Sequence, residues 1–262
     1  MTDRTASALG LALAARMAAQ TRVAMDALDQ AQDRHRAVHE ARKAIRRIRS
    51  GLALSRKTLG IHLTPVDNEL KRLAKGLSRL RDAHVIVAAA KQLGKTDPSQ
   101  TWAEISRLLE VRRDRLLASA LEKDASFKKR QDRLEKVAAK IAELPWHGVA
   151  KHEVQDAIDR SARQAGRAKA SFEATSTPAS LHRWRRRVRR LRLQYETIKE
   201  LESEGSFTHA KHQKPATHSL GKLADSLGRK QDLQVLSASL KEIVDPATAR
   251  KLRAEIRREM HS

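Results

Sequence analysis

The chain has 262 residues, with 54 Lys and Arg against 31 Asp and Glu, for a formal net charge of +23. It has no cysteine, which excludes disulfides, thiolate zinc sites, iron–sulfur clusters and a thiol nucleophile. An apolar share of 40%, dominated by Ala and Leu, with only 3% aromatic residues, suits helices rather than sheets, and the charge calls for a polyanionic partner.

In chain order, the first helix is expected over 5–31. Its apolar stretch from Ala8 to Ala15 stops at Arg16, well short of the roughly 20 apolar residues of a membrane span. No clear basic segment precedes it, so it reads as the first amphipathic helix of a cytoplasmic protein rather than a leader. Further helices are expected over 34–59, 65–93, 98–122, 126–143, 148–171, 178–203, 210–240 and 246–260. Four starts carry a capping residue before proline: Thr64-Pro65, Asp97-Pro98, Thr177-Pro178 and Asp245-Pro246. Asp67 and Gln100 stand where the return arm of a capping box would lie. Gly60, Gly94 and Gly205 mark helix ends. Pro145-Trp146-His147-Gly148 is the clearest mid-chain break, and no strand pattern emerges.

The chain repeats itself. Basic residues at +3, +4, +7, +8 and +10 after His39 recur at the same offsets after His182. Downstream, Leu77, Arg79 and Asp82 align with Leu227, Arg229 and Asp232. Agreement at so many spaced positions marks two copies of one helical unit, with a boundary between 122 and 150.

On a helix of 3.6 residues per turn, the first copy gathers His39, Arg42, Lys43, Arg46 and Arg49 on one side. Val38, Ala41, Ile45, Ile48 and Leu52 fall opposite, and Arg47 sits at the margin. In the second copy His182, Arg185, Arg186, Arg189 and Arg192 oppose Leu181, Trp184, Val188, Leu191 and Tyr195, with Arg190 at the margin. Segments 34–57 and 182–199 carry net charges of +8 and +7 and so hold most of the total. Like charges four apart destabilise a helix, so two such helices point to an external anion. Arginine forks bind paired phosphate oxygens, and rungs recurring every ~5–6 Å suit a linear polyanion. A smaller grid, Lys71, Lys75, Arg79 and Asp82, recurs thinly as Lys222, Arg229 and Asp232, with Asp225 where Lys75 stands. An Asp among arginines is expected to orient them rather than to touch an anion. His35 and His39 are four apart, but their cationic neighbours speak against a metal, and His209, His212 and His218 read as solvated surface. No glycine-rich phosphate loop, hydrolase triad or carboxylate pair is present. Aromatics are too dispersed to stack bases.

The duplicated His/Arg helix and the Arg81-Asp82 pair resemble the CHAD domain family, over nearly the whole chain. The resemblance implies an all-α fold: two four-helix bundles related by a pseudo-two-fold, their basic helices facing across a central basic channel. It implies a single domain over 5–262, with repeat one at about 5–122, a connecting helix at about 126–143 and repeat two at about 148–260. It further implies binding of inorganic polyphosphate and association with polyphosphate granules. The anion contacts carried over are His39, Arg42, Lys43, Arg46 and Arg49, then His182, Arg185, Arg186, Arg189 and Arg192. The third helices would add Lys75, Arg79 and Arg81, then Lys222 and Arg229; Gln231 stands where Arg81 does, so the halves differ. Members are often joined to a CYTH triphosphatase-type domain, for which this chain has neither the length nor the alternating glutamates. The expectation is a non-enzymatic binder with no cofactor, no metal and no membrane contact. The alternatives are a nucleic-acid-binding or nucleoid-associated protein, a metal-dependent phosphohydrolase using His39 and His182, and an adaptor that docks a partner on its apolar first helix.

Overall fold

The computed structural model describes residues 8–95, 100–207 and 217–261, and every regular element among them is helical. Seven helices precede residue 150: α1 (Ala8–Asp29), α2 (Arg34–Leu52), the single turn α3 (Arg56–Leu59), α4 (Leu63–Gly76), α5 (Ser78–Gly94), α6 (Thr101–Lys123) and α7 (Lys128–Ala142). Four follow it: α8 (Lys151–Thr175), α9 (Pro178–Ser203), α10 (Thr217–Ser239) and α11 (Pro246–His261). The expected Asp97-Pro98 start, His209 and His212 lie outside the described residues.

Two capping predictions hold. Thr177 accepts from the Ser180 amide at 3.2 Å, and the Ser180 hydroxyl accepts in return from the Thr177 amide at 3.1 Å, with Pro178 opening α9. Asp245 accepts from the amides of Ala247 and Thr248. At the other end of α9, Gly205 takes φ +71°, so that its amide reaches the Glu202 carbonyl and the Ser206 amide that of Leu201.

The Thr64-Pro65 start is corrected. A 3₁₀ turn over Gly60–His62 leads straight into α4, whose cap is His62. Pro65 then sits within the first turn, where its missing N–H has no helical acceptor to lose. Asp67 is not a capping arm: it pairs with Arg49 at 2.8 Å, Lys71 at 2.9 Å and Arg56 at 3.5 Å.

The expected helix 34–59 stops at Leu52, and 65–93 breaks into α4 and α5. The second break has a tertiary cause. The Ala74 carbonyl, which would accept from the Ser78 amide, takes the Arg42 guanidinium and, at 3.1 Å, the Ser78 hydroxyl. Gly76 beside it offers no side chain to hold the turn together.

The predicted apolar faces are the buried ones. Val38, Ala41, Ile45, Ile48 and Leu52 of α2, and Leu181, Val188, Leu191 and Tyr195 of α9, all lie in the core. So do Leu9, Leu13, Met17 and Leu28 of α1, which packs on α2 and α7. That face of α1 is covered, while Leu11 and Val23 of the same helix stay exposed. Its approach is close: a Cβ at Gly10 would fall 1.9 Å from the Trp146 carbonyl oxygen.

Buried residues form two clusters, and neither is one half of the sequence. The larger joins α1, α2, α4 and α7 with α8 and α9; the smaller joins α5 and α6 with α10 and α11, and Leu80 of α5 and Leu227 of α10 belong to the larger. Helices that carry the repeated sequence pattern meet in pairs, α2 on α9 and α5 on α10.

Candidate polyanion site

Those two helix pairs enclose a cleft of about 710 Å³. Its apolar wall comes from α5 and α10 through Val85, Ala89, Ala224 and Leu233. Its cationic wall comes from α2 and α9. Of the expected residues, His39, Lys43 and Arg46 line it from the first basic helix, Arg185, Arg189 and Arg192 from the second, and Arg81 and Arg229 from α5 and α10.

Acidic side chains fix some of these cations. Asp232 accepts from Arg81 at 3.2 Å and lies 3.7 Å from Arg185, while Asp82 holds the other Arg81 nitrogen at 3.0 Å. The Asp residues therefore orient guanidiniums, as their setting in the sequence suggests. Arg192 is held twice, by Glu196 at 2.7 Å and Asp225 at 2.9 Å.

Arg46 and Arg189 differ. Equivalent in the two copies and partly buried, they make no ion pair among the described residues. Burial, then the neighbouring Arg42, Arg81 and Arg185, pushes Arg46 down to about 10. Burial, then Arg46 itself, pushes Arg189 down to about 9. Two like charges are pressed together where water is scarce, and a bound anion would relieve both. His39 feels the same field: burial, then Arg46, holds its imidazole below the ordinary value, so the site keeps it neutral at pH 7.

The other expected residues lie elsewhere. Arg42 spends a guanidinium nitrogen on Ala74 and, at 2.9 Å, on Ser78, as the clamp across the α4–α5 break. Arg49 is paired with Asp67 and, with Arg186, borders an adjoining cavity rather than the cleft. Lys75, Arg79 and Lys222 are exposed and line neither the cleft nor the cavities beside it. His182 is exposed, with Nδ1 3.0 Å from Gln231 Oε1, so the two repeat histidines do not share one environment. His35 meets Asp114 at 2.9 Å and stacks on His84. Among the described residues no three metal-ligating side chains converge, and no helix is long and apolar enough to cross a membrane.

Helical spacing puts Arg47 at the margin of the basic face, yet it lines the cleft, 3.9 Å from Glu196. Spacing does not single out Arg187, Arg56, Lys57 or Arg160, which border a cavity beyond Arg190. The available signal is a departure from the repeat, because Arg187 stands where the first copy has Ala44.

The profile of the CHAD domain family matches residues 12–241. Among solved structures, the CHAD domain from the plant Ricinus communis superposes with a TM-score of 0.73 at 20% identity, over 98% of this chain and 88% of that one. PptA from Streptomyces chartreusis superposes with a TM-score of 0.71 at 19% identity, over 96% of this chain and 95% of its own. At these identities the likeness is one of fold. No curated protein sequence is significantly similar to the chain.

Proposed function

The chain belongs to the CHAD family, and on that premise we propose that it binds inorganic polyphosphate without hydrolysing it and so associates with polyphosphate granules. In this reading the domain is a duplication, with copies at about 5–122 and 148–260 joined through 126–143. A pseudo-two-fold between two helical bundles brings α2 against α9 and α5 against α10. The observation that carries the reading is the Arg46–Arg189 juxtaposition: two cations at matching positions, each within the other's field and without a carboxylate partner among the described residues, in a cleft of about 710 Å³. Phosphates entering the cleft replace the missing acids, receive charge-assisted bonds from the guanidinium forks and release their own counterions. Asp232 and Asp82 hold Arg81 and Arg185 ready for the ligand.

The test is a competition. Labelled long-chain polyphosphate bound to the protein is challenged with duplex DNA, in equal phosphate excess, at about 0.2 M salt, where charge-only binding is strongly weakened. Retained polyphosphate is the expected result; ready displacement by DNA would make the protein a generic polycation and sink the reading.

The same site predicts a pH dependence. His39 is half-buried and faces Arg46, Lys43, Arg81 and Glu40, a mostly cationic set that lowers its proton affinity. A bound polyanion reverses that field, so the complex takes up a proton that the free protein lacks. Affinity should therefore rise as pH falls through the ordinary imidazole range and level off once the free protein is protonated as well, by at most about tenfold per pH unit for one proton. His39→Gln should flatten that part of a titration between about pH 7.5 and 5.5. A slope that persists in the variant would assign the proton to another group.

A further inference from the structure

The acid-free concentration of positive charge lies beside the central cleft rather than in it. Arg46, Arg189 and Leu193 border the cleft and also a second cavity of about 250 Å³, whose other walls include Arg49, Arg186 and Arg190. Arg187 and Arg190 in turn border both that cavity and a third, of about 430 Å³. The third opens between α8, the middle of α9 and the turn after α2, and takes Arg56, Lys57 and Arg160. The three spaces thus form a series, each sharing arginines with the next.

The acid content differs sharply along this series. Glu196, Asp225, Asp232 and Glu259 line the central cleft, whereas no acidic residue lines either of the other two cavities. Asp67, nearby, answers Arg49 and Arg56. Lys57, Arg160, Arg186, Arg187 and Arg190 make no ion pair among the described residues. Arg187 is instead aimed by a neutral acceptor, Gln164 Oε1 at 2.6 Å, which fixes the fork without spending its charge. Arg190 is partly buried, and burial, then Arg49 and Arg187, lowers its proton affinity. Only the second copy builds this feature, since Ala44 stands where Arg187 does.

Resting on the polyphosphate reading above, we propose that a bound chain continues past Arg46 and Arg189 into this acid-free groove. It leaves the molecule between α8 and α3, over Lys57 and Arg160. The ligand class is a linear phosphate polymer long enough to occupy cleft and groove together. The route is one-sided, because the first copy lacks the equivalent of Arg187.

Lys57 and Arg160 are exposed and make no ion pair among the described residues, so Lys57→Glu/Arg160→Glu leaves the fold its packing. Lys136→Glu/Lys140→Glu, on an exposed face of α7 that borders none of these three spaces, makes the same change of net charge. Affinity for long-chain polyphosphate is measured against salt for the parent and both variants. The groove variant should bind about tenfold or more weakly than the α7 variant. Its log–log salt slope should shrink by about 1.4, at about 0.7 for each phosphate no longer neutralised. Equal losses in the two variants would mean that only the overall field matters, and would overturn the groove while leaving the central cleft intact. A parent protein that fails to bind long-chain polyphosphate would overturn the functional reading itself.

Discussion

Arg46→Met/Arg189→Met should raise the melting temperature of the free protein by about 3–8 °C, measured in phosphate-free, low-salt buffer. It should also cost about a hundredfold or more in polyphosphate affinity. The two effects have one origin. Each guanidinium is partly buried, has no ion pair among the described residues and faces other arginines. Replacing such a buried charge by an apolar side chain of similar length is often stabilising, by about 1–4 kcal/mol. For a chain of this size each kcal/mol moves the melting point by about 2–4 °C. Methionine keeps the flexible stem that packs against the cleft wall and removes only the charge.

The pH dependence of stability carries the matching sign. Both groups lose protons more easily folded than unfolded, at about 10 for Arg46 and about 9 for Arg189. Above those values the unfolded chain binds more protons than the folded one, so these two sites make the parent more stable as pH rises through 9 and 10. The Met variant should lack that contribution. The binding loss follows from two charge-assisted bonds worth about 1.5–3 kcal/mol each. A variant that melts below the parent would show that these cations stabilise the free fold, and the cleft would not be strained in wait for an anion.

What can be read in advance is whatever repeats with the period of a helix. The apolar faces of α2 and α9 are buried as the spacing demands, because each face is set by residues a few positions apart. Arg185, Arg189 and Arg192 of the cationic face of α9 line the cleft for the same reason. The α4–α5 break is not legible, because its cause is Arg42 reaching a carbonyl 32 residues away. The same bond removes Arg42 from the cleft lining, although its place in the repeat equals that of Arg185. His39 and His182 likewise share a position but not a setting, since Gln231 stands beside His182 where the first copy has Arg81. Symmetry in the sequence locates the site, and the residues that break it decide which cations remain free for a ligand.

That distinction between free and paired cations should be measurable in salt. Between 50 and 200 mM salt, affinity for long-chain polyphosphate should fall about a thousandfold, the loss expected for about seven phosphate contacts at a slope of about 0.7 each. The contributing residues are not simply the arginines nearest the cleft. Arg192 lines it but already meets Glu196 at 2.7 Å and Asp225 at 2.9 Å. A phosphate approaching it must displace or share those carboxylates, so little counterion release can be charged to that residue. Arg192→Gln should therefore leave the slope nearly unchanged, whereas Arg189→Gln should reduce it by about 0.7. The two residues lie three apart on α9 and carry the same charge, so a long-range field would treat them alike. Equal changes in slope would return the cleft to a diffuse basic surface; unequal ones would tie affinity to the guanidiniums that the fold leaves without a carboxylate.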